Sequence, residues 1–195
     1  MRKLTLAATV LMTFAAQMGV GAPDLLDATA FAAQPVNDRL GRLFSRLAQA
    51  ANAAETQTIA AQIEQIWLTG QGPTLELLMS RAISATQSQD YEIALDLLNH
   101  VVKLAPGWAE AWNKRATVRY LLGDDAGSLA DIYRTLSLEP RHFGALAGEA
   151  MILQRADKKA EALQTYRQIS SLAPFWPNLK QQIDHLSLEV EGQGI

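Results

Sequence analysis

Three histidines, His100, His142 and His185, are the side chains best suited to metal or acid–base chemistry, and they stand 42 and 43 residues apart. No H-x3-H or H-E-x2-H spacing brings two imidazoles onto one helical face, so they read as surface or capping residues. The chain has no cysteine, which removes thiolate nucleophiles, disulfides, iron–sulfur clusters and thiolate zinc sites. It also lacks a G-x-S-x-G elbow, a P-loop and a G-x-G-x2-G fingerprint. Glu149, Asp157 and Glu161 occur at ordinary helical spacing and read as a solvated face. No catalytic residue, metal ligand or cofactor site is assigned, and the chain is expected not to be an enzyme. The four tryptophans are read as packing groups: Trp67 and Trp112 between helices, Trp108 and Trp176 as wedges in connections.

The elements that carry these residues follow from composition and periodicity. Hydrophobic residues make up 49 % of the 195 and charged residues 19 %, with Ala and Leu prominent, a balance that favours packed helices over disorder. The net charge is −3, and Lys and Arg are scattered, so nucleic acid is not an expected partner.

Residues 1–32 have the layout of a secretory signal peptide. Arg2 and Lys3 precede an uncharged run from Leu4 to Pro23, and Ala30-Phe31-Ala32 fits the A-x-A cleavage pattern. Cleavage after Ala32 would deliver the mature chain to a bacterial periplasm or beyond, with membrane contact only in transit. The competing expectation is an uncleaved anchor, since about 20 uncharged residues suffice to span a bilayer. A lipid anchor of the bacterial kind would need a cysteine at the cut.

The rest of the chain repeats. Pro106, Pro140 and Pro174 are 34 residues apart, and so are Ala82, Ala116 and Ala150, then Ala94, Ser128 and Ala162. Leu95, Leu129 and Leu163, and Leu104, Leu138 and Leu172, keep the same interval. Five columns in one register mark an internal repeat. Small columns mark close helix approach, large apolar columns fill the space between pairs, and the prolines end each second helix. Helices are expected at about 38–52, 54–69, 74–87, 90–104, 108–122, 125–138, 142–155 and 158–172, with Asp90, Asp124 and Asp157 as N-caps. A last helix, Pro177 to Glu191, carries Leu179, Ile183 and Leu186 as its apolar stripe.

The unit Ala109 to His142 resembles the tetratricopeptide repeat family, whose pattern is W-x2-L-G-x2-Y, then A-x3-F, then P. Trp112, Ala116, Gly123 with Asp124, Ser128, Ile132 and Pro140 take the corresponding places. The resemblance implies an all-α, right-handed solenoid of helix–turn–helix units at 75–108, 109–142 and 143–176. It is preceded by a helical segment at 33–74 with a degenerate repeat, Gly41 to Thr74, in which Phe44, Ala48 and Ala60 hold register and Pro73 falls one residue late. A capping helix and tail at 177–195 close the array. Arg81, Arg115 and Glu149 occupy a column where the family has Leu, and Arg119 stands at the Tyr place. Their heads either pair or reach solvent, or they form a charged ligand site; Arg115 is expected to pair with Asp131.

The resemblance further implies a concave groove lined by the first helix of each unit, which binds a protein or peptide. The inward positions include Met79 and Ile83, then Asn113, Thr117 and Tyr120, then Gly144, Ala147, Met151 and Gln154, with Gly148 beside them; Glu76, Thr86 and Glu110 share these faces. Where some family members hold acidic C-termini with a basic clamp, this chain has Met79, Ile83 and Gly148. Gly144 and Gly148 lie four apart on one helical face, a spacing that serves either close helix packing or a side-chain-free floor between Met151 and Tyr120. Two roles follow: an adaptor that docks a partner peptide or helix, or a structural subunit that self-associates.

Overall fold

The computed structural model describes residues 36–192, so the expected signal segment and its cleavage site lie outside the described residues. The helices are α1 (Val36–Ala48), α2 (Ala53–Leu68), α3 (Pro73–Gln87), α4 (Tyr91–Leu104), α5 (Ala109–Leu121), α6 (Asp125–Leu138), α7 (Phe143–Arg155), α8 (Lys159–Leu172) and α9 (Leu179–Glu191). No strand occurs among the described residues. The pairs α3·α4, α5·α6 and α7·α8 each pack as a hairpin, successive pairs stack, and α9 closes on α8. This is an all-α solenoid of helical repeats.

The columns explain the stacking. Ala82, Ala116 and Ala150 are buried, as are Ala94, Ser128 and Ala162, so paired helices approach without a side chain between them. At Ser128 the approach is close enough for its hydroxyl to donate to the Ala116 carbonyl at 2.8 Å. Each proline follows the last helical residue of α4, α6 or α8 by two positions, where the lost amide donor is harmless. Pro73 differs: it is the first residue of α3, where its fixed φ suits helix entry, and so belongs to a start rather than an end.

The caps divide. The Asp124 side chain accepts from the Gly127 amide at 2.9 Å, as an N-cap should. Asp90 occupies the N-cap of α4 without a side-chain bond, and Asp157 falls one residue early, at φ +59°, leaving the N-cap of α8 to Lys158. At α7 the cap is His142, whose Nδ1 accepts from the Ala145 amide at 3.2 Å.

The N-terminal hairpin departs from the expected degenerate repeat. A repeat in register would lay α2 along α3; instead α2 packs on α5 and α1 on α8. Its apolar residues, among them Leu43, Phe44, Leu47, Ile59 and Ile63, form a core with Trp67, Phe143, Ala173 and Trp176. The chain turns between α2 and α3 at Gly70 and Gly72, with φ of +91° and +92°, a region where glycine has no Cβ to clash. The hairpin thereby rides on one repeat column, Trp108, His142 and Trp176, at the starts of successive first helices. The Trp67 carbonyl accepts from the Trp108 indole at 2.6 Å, and the Trp67 ring stacks on His142.

Candidate functional site

The charged departures from the repeat pattern resolve into two kinds. Arg115 donates to Asp131 through Nε at 2.8 Å and Nη2 at 2.7 Å, a two-pronged bond that holds both groups in the wall between α5 and α6. Arg119 adds a contact to the same carboxylate at 3.1 Å and donates to the Gly127 carbonyl. Glu149 has no such partner among the described residues. Burial pushes its carboxyl above the usual range, and neighbouring Glu161 pushes it further.

The hairpin covers one end of the concave face. Beneath it Glu110 is buried and accepts from His142 Nε2 at 2.8 Å, with Lys114 Nζ at 2.9 Å. Burial alone would raise the Glu110 carboxyl; the hydrogen bond from His142 and the charge of Lys114 outweigh it and hold it below the ordinary 4.5. Because Nδ1 accepts from the Ala145 amide, Nε2 carries the proton donated to Glu110.

Beyond the hairpin the concave face is open, and a hollow of about 290 Å³ lies among α5, α6 and α7. Gly144, Ala147, Gly148 and Met151 form one wall, Asn113, Thr117 and Tyr120 the other, and Ile132 lies at the floor. Its lining contains no ionisable group other than the Tyr120 phenol. Two of its hydroxyls are already engaged: Thr117 donates to the Asn113 carbonyl at 3.0 Å, and Ser128 donates to the Ala116 carbonyl at 2.8 Å. A charged occupant would lose its hydration without compensation, whereas an apolar side chain would not.

The glycines shape this hollow without a backbone clash behind them. A Cβ at Gly148 would stand 3.3 Å from Ile132 Cδ1, the mobile end of a side chain, and one at Gly144 would make ordinary contacts at 3.5 Å or more. A second hollow of about 450 Å³ shares Tyr120, Ala147 and Met151 and continues over Gln154, Tyr166, Trp176 and Gln182. It is more polar: Gln154 donates to Gln182 at 3.0 Å and accepts from the Tyr166 hydroxyl at 2.8 Å. Burial raises the Tyr166 phenol, which stays a neutral donor.

Seven of the expected groove residues, Asn113, Thr117, Tyr120, Gly144, Ala147, Gly148 and Met151, thus meet in one hollow, and Gln154 lies in the next. Ile83 lines a separate hollow of about 170 Å³ with Thr86 and Lys114. Met79 is a correction: it is 1 % exposed and belongs to the core of the α3–α5 region, so it offers nothing to a partner. The floor residue Ile132 and the far wall, Tyr166, Trp176 and Gln182, come from second helices, the α8–α9 connection and α9, which a reading restricted to first helices misses. Among the described residues no group of three His, Cys, Asp or Glu side chains is placed to hold a metal ion.

No family model matches the chain. A TPR repeat-containing protein of Rhizobium etli is 33 % identical over 154 residues, covering 79 % of this chain and 76 % of that protein. The chain belongs to the tetratricopeptide repeat family. Tetratricopeptide repeat protein 36 of Bos taurus is 40 % identical over 78 residues, which span 37 % of its length, so that likeness is confined to a few repeats. Among solved structures, the first TPR of Spaghetti (RPAP3) bound to the HSP90 peptide SRMEEVD superposes with a TM-score of 0.57 at 16 % identity, over 60 % of this chain and 93 % of that one. The Sgt2 TPR domain from Aspergillus fumigatus gives 0.56 at 17 % identity, over 63 % and 82 %. At these identities the superpositions speak for the fold.

Proposed function

We propose that this TPR protein is a non-catalytic adaptor whose concave hollow receives an apolar side chain from an extended peptide or helix of a partner protein. The observation that carries the reading is the convergence of Gly144, Ala147 and Gly148 with Met151 and Tyr120 around an uncharged hollow of about 290 Å³. Gly148, in the interior of α7, costs on the order of 1 kcal/mol relative to Ala, Gly144 stands in the first turn, and neither glycine is required by a neighbouring backbone. A ligand gives that cost a purpose. Family membership supports a protein partner. The uncharged walls argue against an acidic peptide such as the one bound to the RPAP3 repeat. The polar second hollow would take the main chain or polar flank of the same ligand. From the layout of residues 1–32 we further propose export with cleavage near Ala32, which the intact mass of the native protein tests.

Selection of a displayed random peptide library on residues 33–195 tests the binding role. Enriched peptides are expected to share one large apolar residue in an uncharged context and to compete with one another. Enrichment of acidic peptides, or of none, would contradict it.

A further inference from the structure

One repeat column that is buried in three first helices is open in the earliest. Leu77, Ala111, Ala145 and Leu179 are successive residues 34 apart; the last three are 0, 1 and 2 % exposed, whereas Leu77 is 53 % exposed. Two turns on, Val118, Ile152 and Leu186 are buried, while their equivalent Ser84 is exposed. On α5 and α7 the cover is the second helix of the preceding unit, α4 and α6. Among the described residues that cover is missing from α3, because the chain turns at Gly70 and Gly72 and carries α2 away to α5. A helix-sized berth is left along α3.

Arg81 lies in the middle of this berth and is exposed. Its equivalent, Arg115, reaches out of its own unit, donating through Nη1 to Asn99 of α4 at 3.0 Å, and binds Asp131 within the unit. Leu97 stands where Asp131 would be for Arg81, so the first unit supplies that guanidinium with no matching carboxylate. We propose that the α3 edge, Leu77, Arg81 and Ser84, docks an amphipathic helix of a partner protein that bears a carboxylate between apolar residues. The helix lies on α3 as α4 lies on α5, and its carboxylate pairs with Arg81. Charge argues against a second copy as occupant. A two-fold contact along this stripe sets Arg81 against Arg81, and the outward-facing Asp184 of α9 is already paired with Lys180.

The absence of cysteine makes Ser88→Cys a single attachment point for an environment-sensitive dye, at the exposed C-terminal cap of α3, about one turn beyond the docking stripe. The probe is a synthetic peptide of residues 90–106 carrying Asn99→Asp, the array's own covering helix with a carboxylate at the site that meets the column of Arg81. A saturable blue shift is expected, weakened about tenfold or more when the protein also carries Arg81→Glu, and recovered when the peptide carries Asn99→Lys instead. No saturable shift up to about 1 mM peptide, or a shift indifferent to Arg81→Glu, would overturn the proposal. A shift that grows with protein concentration in the absence of peptide would overturn it in favour of self-association.

Discussion

The indole of Trp67 lies flat on the imidazole of His142, with ring centroids 4.1 Å apart and planes 12° from parallel. This contact fastens α2 to the start of α7, and the Trp67 carbonyl fastens it to Trp108. Trp67→Ala is therefore expected to cost about 3 kcal/mol and to loosen the hairpin before the array. Hydrogen exchange should show lost protection in residues 36–68 with protection retained across 109–172. Uniform loss would mean that the hairpin and the array form one cooperative unit.

Beneath that contact, Glu110 has a lowered carboxyl, so its contribution is present above its unfolded value near 4.5 and is lost as pH falls through the folded value below it. Glu110→Gln should cost about 1–3 kcal/mol at pH 7, because a charge-assisted bond becomes a neutral one. The gap from the native protein should narrow as the pH drops below 4.5, and denaturant melts across pH 3–7 measure it. A gap constant with pH would show that the carboxylate charge is not what matters.

Glu149 carries the opposite sign. A raised carboxyl disfavours the folded state at neutral pH and ceases to do so as the group is protonated. Glu149→Gln should raise Tm by roughly 1–3 °C at pH 7 and by less at pH 4, as read by calorimetry.

The pair of Arg115 and Asp131, whose side chains are 12 and 3 % exposed, predicts strong coupling. Arg115→Ala should cost about 3 kcal/mol by stranding a buried carboxylate, and Asp131→Ala at least as much, since it leaves Arg115 and Arg119 facing each other. Replacing both with Met and Leu should recover most of the loss in a double-mutant cycle.

How far the sequence carries is seen in these same residues. The 34-residue columns place Arg115 opposite Asp131, because register fixes which side chains face each other once helices pair. They also gather the glycines, Met151 and Tyr120 along one groove. The hairpin is where register misleads. Phe44, Ala48 and Ala60 keep the spacing of a repeat, yet spacing is a local property, and the course of α2 is decided by the turn at Gly70 and Gly72 and by distant contacts from Trp67 to Trp108 and His142. The same long-range contact buries His142, which on spacing alone looks like a surface or capping residue; it does cap α7, but from inside the core. Met79 fails for a related reason: a first-helix position is inward by register, but a long side chain there turns into the core formed with α4 and α5.

The hollow itself is tested most directly by the affinity of a library-selected peptide for the native protein and for Gly148→Leu, measured beside the melting temperature of each. A Cβ at 148 would stand 3.3 Å from Ile132 Cδ1, so the end of that side chain must give by a few tenths of an ångström while the rest of the leucine occupies the hollow, and the helix gains on the order of 1 kcal/mol from losing a glycine. The account predicts a Tm within a few degrees of native and a loss of affinity of about a hundredfold or more. Unchanged affinity with unchanged stability would contradict it, and so would a sharp fall in stability, which would show that Gly148 serves packing.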